Sequence, residues 1–120
     1  MSVKISIRGT KGLARAFRNA SGIVSEKIDK AISRNAADMV GTAKALAPVD
    51  QGDLRDSIGS TKIDGGYRVE ATDEAAPFVE FGTRNMPAAP YFFPAYRLNR
   101  KRFRGRVNRA VKAAIKEAGL

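Results

Sequence analysis

A stripe of apolar residues, separated by threes and fours, runs through the first third of this 120-residue chain. Because an α-helix turns once every ~3.6 residues, this spacing places the whole stripe on one side of a helix. It predicts a long amphipathic helix over residues 11–46, with a kink at Ser21-Gly22 and an end imposed by Pro48. The stripe consists of Leu13, Phe17, Ala20, Val24, Ile28, Ile32, Ala36, Met39, Ala43 and Leu46.

Segments on both sides of this helix show the alternation of apolar and polar residues that is typical of half-buried strands. Val3–Arg8 alternates in this way and is followed by Gly9. Further along, Ile58–Ile63 and residues 67–72 flank Asp64-Gly65-Gly66, whose glycines permit the positive φ angles of a tight turn. We therefore expect one N-terminal strand and a later β-hairpin.

A third short strand is expected after the hairpin, at residues 78–81. Such a strand would place Val79 and Phe81 on one face, and Pro77 would stand at its first position, where a missing N–H does least harm. A final helix is predicted over residues 94–118. Its expected buried side consists of Phe93, Tyr96, Phe103, Val107, Val111, Ala114 and Ile115.

The order strand, long helix, three strands, helix predicts the α+β class. We expect the N-terminal strand and the three-stranded antiparallel segment to form a small sheet with the helices packed on one face. The length fits a single domain over residues 1–120.

The chain has no cysteine and no histidine. This inventory excludes disulfides, thiolate nucleophiles, metal sites built from Cys or His, and proton relays that depend on His. No apolar run approaches the ~20 residues that cross a bilayer, and the first residues lack the apolar core of a secretory signal. We expect a soluble protein without cofactor or membrane contact.

Three aspartates at intervals of three are candidates for a cation site. Asp50, Asp53 and Asp56 do not follow the calcium-loop pattern, in which ligands alternate at every second position and a glutamate ends the loop. The spacing instead favours a turn in which Asp53 or Asp56 caps a short helical turn around Leu54.

Glu80 is a lone carboxylate between aromatic residues, which makes it a candidate general base. No second carboxylate or nucleophile stands near it in the sequence. An ion pair with Arg84, or with an arginine of a neighbouring subunit, is therefore favoured. We expect neither catalysis nor metal binding.

The positive charge of the chain is concentrated at its end. Residues 91–120 hold nine Lys and Arg against Glu117 alone, whereas residues 1–90 hold 13 against 11 acidic residues. This asymmetry indicates a polyanionic neighbour, which is either nucleic acid bound without sequence preference or an acidic protein surface. A merely solubilising face is the third alternative. The candidate contact residues are Arg97, Arg100, Lys101, Arg102, Arg104, Arg106, Arg109 and Lys112.

A proline-rich arm over residues 84–93 separates the last strand from the basic helix. Its prolines restrict the backbone, so that docking on a neighbour would lose little ordering entropy, and its aromatic rings are candidate anchors. Alternatively, the rings cover this subunit's own core. The candidate interface residues are Glu80, Phe81, Gly82, Thr83, Arg84, Met86, Pro87, Pro90, Tyr91, Phe92 and Phe93.

Two stretches carry a resemblance to a known family. APVDQGDLRDSI, residues 47–58, is similar to a Pro-x-Asp-Thr-Gly-x-Leu-x-x-Ser-Ile box, with Gln51 in place of the threonine. APFVEFGTRNMPAAPYFFPA, residues 76–95, is similar to a Tyr-Ala-x-x-Val-Glu-Phe-Gly-Thr box that continues as Pro-Ala-Gln-Pro-Phe-Leu-x-Pro-Ala, with Ala75 and Ala89 in place of the tyrosine and glutamine. Together they resemble the small neck or tail-completion proteins, the head-tail joining family, of long-tailed bacteriophages.

The resemblance implies a virion structural protein without catalysis, made in the host cytoplasm and located at the head-tail junction. It implies a homo-oligomeric ring through which DNA passes, with head-closure, tail-terminator or tail-tube proteins as partners. The second hypothesis, which depends on the basic helix alone, is a sequence-independent nucleic-acid-binding module.

Overall fold

The structure, a computed structural model, describes residues 3–8, 22–49 and 52–117. Expectations for residues 11–21, for the kink at Ser21 and for Asp50 lie outside these ranges. The elements are strands β1 (Val3–Arg8), β2 (Ile58–Ile63) and β3 (Gly66–Ala71), and helices α1 (Gly22–Leu46), α2 (Asp53–Asp56), α3 (Ala76–Phe81) and α4 (Phe92–Glu117). The predicted α+β class is confirmed.

The three strands form one antiparallel sheet in the order β1-β3-β2. In its register Val3 lies opposite Ala71, and Ala71 lies opposite Ile58, so these apolar side chains share a face. The alternate positions, including Lys4 and Thr61, form an exposed polar face. The predicted hairpin is present, and Gly65, with φ of 76°, supplies its positive φ.

The helices form two layers on the apolar face of the sheet. Helix α1 packs directly on the strands, where Ile28, Ile32 and Ala36 join Val69 and Ala71 in one hydrophobic core. Helix α4 packs on α1 in an antiparallel direction, since Lys27 pairs with Glu117 near one end and Thr42 meets Asn99 near the other. Each of these two helices therefore buries the central part of the apolar stripe that its sequence predicts.

The predicted strand at residues 78–81 is wrong, because this segment is part of helix α3. Pro77 stands in the first turn of that helix, where a proline's missing N–H has no intrahelical partner to lose. Ala76 and Glu80, four residues apart, are its buried positions, whereas Phe81 is exposed. Alternation over four residues did not distinguish a strand from a single helical turn.

Three smaller expectations also need correction. Helix α2 forms around buried Leu54, as predicted, but its N-cap is Gly52 and no side chain caps it. Helix α4 begins at Phe92, two residues earlier than predicted, and Pro94 lies in its first turn. Leu46 and Ile115, both placed on buried stripes, are exposed at the ends of their helices.

Candidate functional site

Glu80 binds the beginning of helix α4. Its carboxylate accepts hydrogen bonds from the backbone N–H groups of Tyr91 and Phe92 at Oε2, at 2.8 and 2.9 Å, and of Phe93 at Oε1, at 3.0 Å. The side chain is only 3% exposed. The expected ion pair with Arg84 is wrong, since Glu80 forms no salt bridge within the described residues.

These three bonds satisfy the N–H groups that a helix leaves without partners at its start. Pro94 has no N–H, and the amide of Ala95 donates to the carbonyl oxygen of Tyr91 at 3.3 Å. Helix α4 has no acidic residue in its own first turn, so Glu80 also supplies the negative charge that the helix dipole favours there. We call this arrangement the Glu80 cap.

The Tyr91 side chain lies in the core beside the Glu80 cap. It is fully buried, and its hydroxyl donates to the carbonyl oxygen of Ala76 at 3.2 Å. Burial raises the pKa of the Tyr91 hydroxyl well above its ordinary value, and the negative charges of Glu80 and Asp73 raise it further. The phenol therefore stays protonated and ties helix α4 to α3.

Between α3 and α4 the chain folds back on itself. Gly82 has φ 79° and ψ 170°, a conformation that is nearly restricted to glycine. Thr83 and Met86 then exchange two backbone hydrogen bonds, and the amide of Ala89 donates to the carbonyl oxygen of Val79 at 2.8 Å. The two Thr83–Met86 bonds fix the turn itself, and the Ala89 bond joins the arm to α3.

The candidate interface residues divide into two groups. Tyr91 and Phe92 are fully buried in this subunit's core, in agreement with the alternative that the rings cover that core, and Glu80 is buried with them. Phe93 is half-buried, and its ring lies 5.9 Å from that of Phe81. Those that are exposed are Phe81, Thr83, Arg84, Met86, Pro87 and Pro90, and Gly82 is partly exposed. A contact between this exposed group and another subunit stays a prediction.

The candidate basic residues also divide by their exposure to solvent. Arg106 is partly buried and donates to Asp38 Oδ2 at 2.7 Å and to Asn35 Oδ1 at 2.9 Å. Arg106 therefore joins α4 to α1 within the chain. The other seven are exposed and form no ion pair within the described ranges: Arg97, Arg100, Lys101, Arg102, Arg104, Arg109 and Lys112. We call them the outer cations.

Sequence reasoning missed two buried asparagines between the long helices. Asn35 donates to the carbonyl oxygen of Phe103 at 3.2 Å, and Asn99 donates to Thr42 Oγ1 at 3.0 Å. Both are at least 96% buried, since their exposures are 1% and 4%. A signal was present for Asn99, because it continues the four-residue spacing of Ala95 and Phe103.

A groove of about 290 Å³ lies beside α3. Its walls are apolar at Pro48, Leu54, Ala75 and Val79, and acidic at Asp53 and Asp73. Within the described residues, no group of three or more His, Cys, Asp or Glu side chains is placed to hold a metal ion. None of the described helices combines the length and apolar character needed to cross a bilayer.

The structure defines a small α+β protein whose basic helix α4 is capped by Glu80 of helix α3. A family model matches residues 11–82, which is more than half of the chain; its description is "Bacteriophage HK97-gp10, putative tail-component". The chain belongs to this HK97-gp10-like family of bacteriophage tail components. The match confirms the bacteriophage resemblance, and it ends at Gly82, before the arm over residues 84–93. Comparisons with curated proteins and with solved structures found no match.

Proposed function

We propose that this protein is a structural subunit of the phage head-tail junction, where copies of it form a ring through which DNA passes. Its role is neck formation or tail completion, without catalysis. Membership in the tail-component family is the observation that carries the proposal. The site of action is the virion, after synthesis in the host cytoplasm.

The geometry of the arm supports a role in assembly. Phe81, the last residue of α3, is 65% exposed, and Met86 is 40% exposed on the segment that backbone hydrogen bonds fix beside α3. A preorganised apolar surface binds a partner with a smaller loss of conformational entropy than a mobile one. We propose that Phe81, Met86 and the exposed prolines contact a neighbouring subunit or another tail protein.

The test is complementation of phage that lack this gene, followed by imaging of the particles. The double variant Phe81→Ser and Met86→Ser removes the exposed apolar side chains while the Glu80 cap remains. We expect the variant to remain folded, by circular dichroism, and complementation to give tails that do not join heads. Phe81→Leu, which retains an apolar side chain, should support assembly.

Labelled protein should appear at the head-tail junction of intact particles in several copies. Normal joining by the folded double variant would show that the arm is not the contact. A label found elsewhere in the particle, or a single copy at the junction, would overturn the ring itself.

The second candidate function is sequence-independent binding of nucleic acid, which the seven exposed outer cations favour. Neutralised phosphates release counterions, so affinity for duplex DNA would fall steeply with salt, with a log-log slope of about −0.9 per phosphate contact. Arg100→Gln and Arg104→Gln together would then reduce that slope by about 2. Salt-independent or undetectable binding to duplexes of different sequence would exclude this function.

A further inference from the structure

The chain carries opposite charges on two separate surfaces. Residues 52–79 contain six acidic and three basic residues, whereas residues 91–117 contain nine basic residues and one acidic residue. The acidic part includes the groove beside α3, and the basic part is helix α4. No residue of α4 lines the groove. The two surfaces are therefore available to two different neighbours.

The lining of the groove suits an apolar side chain that has cationic neighbours. Its apolar lining comes from Pro48, Leu54, Ala75 and Val79, and Asp53 and Asp73 stand at its sides. Neither aspartate has an ion-pair partner within the described residues. The nearby Arg55 is directed to Asp56, 3.7 Å away.

Helix α4 presents a matching feature on its outer side. Leu98 is 70% exposed, the highest value among the large apolar side chains of the described residues. Lys101 and Arg102 follow it at three and four residues, so all three lie on one face of the helix. An apolar side chain next to two cations is the complement of the groove in polarity and charge.

We propose that Leu98 of one copy inserts into the groove of a second copy, where Lys101 and Arg102 pair with Asp53 and Asp73. This inference rests on the proposed self-assembly and adds a second contact between copies, separate from the exposed residues of the arm. The contact joins two different surfaces, so each copy can use its groove and its helix at once. Head-to-tail association of this kind produces a ring when the rotation between copies closes it.

Charge reversal tests the pairing in purified protein, by sedimentation velocity over a range of concentrations. Asp53→Lys alone and Lys101→Glu alone should each weaken self-association by about tenfold or more. The two changes in one chain should restore it. Salt is a poorer probe, because it weakens the contact but also screens the repulsion between copies of net charge +10.

Two matched controls carry the same charge changes away from the contact. Asp64→Lys alters an exposed acidic residue in the hairpin turn, at the opposite end of β2 and β3 from Asp53 and Asp73. Arg100→Glu alters a cation about 200° around the helix from Leu98. Both should leave association unchanged. Equal effects of the controls and of the paired variants, or no rescue by the double reversal, would overturn the proposal.

Cysteine cross-linking tests the geometry, and the absence of natural cysteine makes the background clean. Leu98→Cys combined with Ala75→Cys should give a ladder of covalent oligomers on oxidation. The two single variants, mixed, should give one covalent dimer. Leu98→Cys combined with Thr61→Cys, on the polar face of the sheet, should give little product.

The two proposals fail in different ways. If the Leu98→Cys and Ala75→Cys pair cross-links no better than the Thr61→Cys control at the highest soluble concentration, the groove contact is wrong. Several copies at the head-tail junction would then still support the ring. A single copy per particle, by contrast, overturns the ring, while the cross-linking of purified protein decides the groove contact by itself.

Discussion

At the scale of single residues, Glu80 supplies the cap that the first turn of helix α4 lacks. Glu80→Gln keeps the shape of the side chain but removes the charge and turns an NH₂ group toward backbone donors. Because hydrogen bonds to charged groups contribute about 1.5–3 kcal/mol, we expect the free energy of unfolding to fall by about 2–4 kcal/mol. Urea denaturation measures the loss. Glu74→Gln, at an exposed position, should change the free energy of unfolding by less than about 0.5 kcal/mol. An equal loss in the two variants would contradict the stabilising role of the Glu80 cap.

Gly82 is the second residue on which the arm depends. A Cβ at this position would lie 2.8 Å from the backbone nitrogen of Ala88, and its φ of 79° is unfavourable for other residues. We expect Gly82→Ala to lower the unfolding free energy by more than about 2 kcal/mol, because strain and a backbone clash add. Gly59→Ala is the matched control, since nothing lies within 4 Å of its Cβ position. Similar melting temperatures for the two variants would show that the turn tolerates a side chain.

Tyr91 makes the free energy of unfolding depend on pH in the alkaline range. Its folded-state pKa is raised by burial and by the charges of Glu80 and Asp73, so the unfolded chain loses this proton first, near pH 10. The contribution of Tyr91 to the free energy of unfolding is therefore complete below about pH 10. Above that pH the free energy of unfolding falls by about 1.4 kcal/mol per pH unit. Tyr91→Phe removes the hydrogen bond to Ala76, so the free energy of unfolding should fall by about 1 kcal/mol at neutral pH. Above pH 10 the stability of this variant should decline less than that of the wild-type protein. Parallel stability curves for the two proteins between pH 8 and 11 would refute this linkage.

At the scale of elements, the packing of α4 on α1 includes a buried polar cluster. Arg106 donates to both Asp38 and Asn35, and Asn35 also donates to the Phe103 carbonyl. Arg106→Ala leaves buried Asn35 Oδ1 without that donor, so we expect a loss of about 2–3 kcal/mol. Arg104→Ala, at an exposed position, should cost less than about 0.5 kcal/mol.

The cluster also predicts coupling between the two helices. Asn35→Ala and Arg106→Ala together should destabilise the protein by less than the sum of the single changes, because both remove the same bond. A double-mutant cycle from denaturation midpoints measures the difference. Strict additivity would mean that the two side chains act independently.

At the scale of the whole molecule, one core connects the sheet, α1 and α4 in a body of 58 × 22 × 21 Å. We predict a single cooperative unfolding transition, as expected for one domain over residues 1–120. Far-UV circular dichroism, dominated by the helices, and tyrosine fluorescence, with Tyr67 in the sheet and Tyr91 in the core, should give the same midpoint. Two separate midpoints would show that α4 unfolds independently of the sheet.

The sequence determined the features that depend on local pattern. The period of the stripe predicted α1, alternation predicted β1, and Gly65 predicted the hairpin turn between two alternating segments. Composition placed the excess positive charge on the last helix. These inferences succeeded because helix period, strand alternation and the φ angle of glycine are properties of neighbouring residues.

Only the tertiary structure decided the roles of Glu80, Arg106 and the buried asparagines. Glu80 lies 11 residues before Tyr91, and Arg106 lies 71 residues after Asn35, so no local period relates donor to acceptor. Residues 78–81 illustrate the same limit: four residues fit a strand or a helical turn equally well. Their helical form places Glu80 where the first turn of α4 needs an acceptor, and contacts across the fold distinguish the two forms.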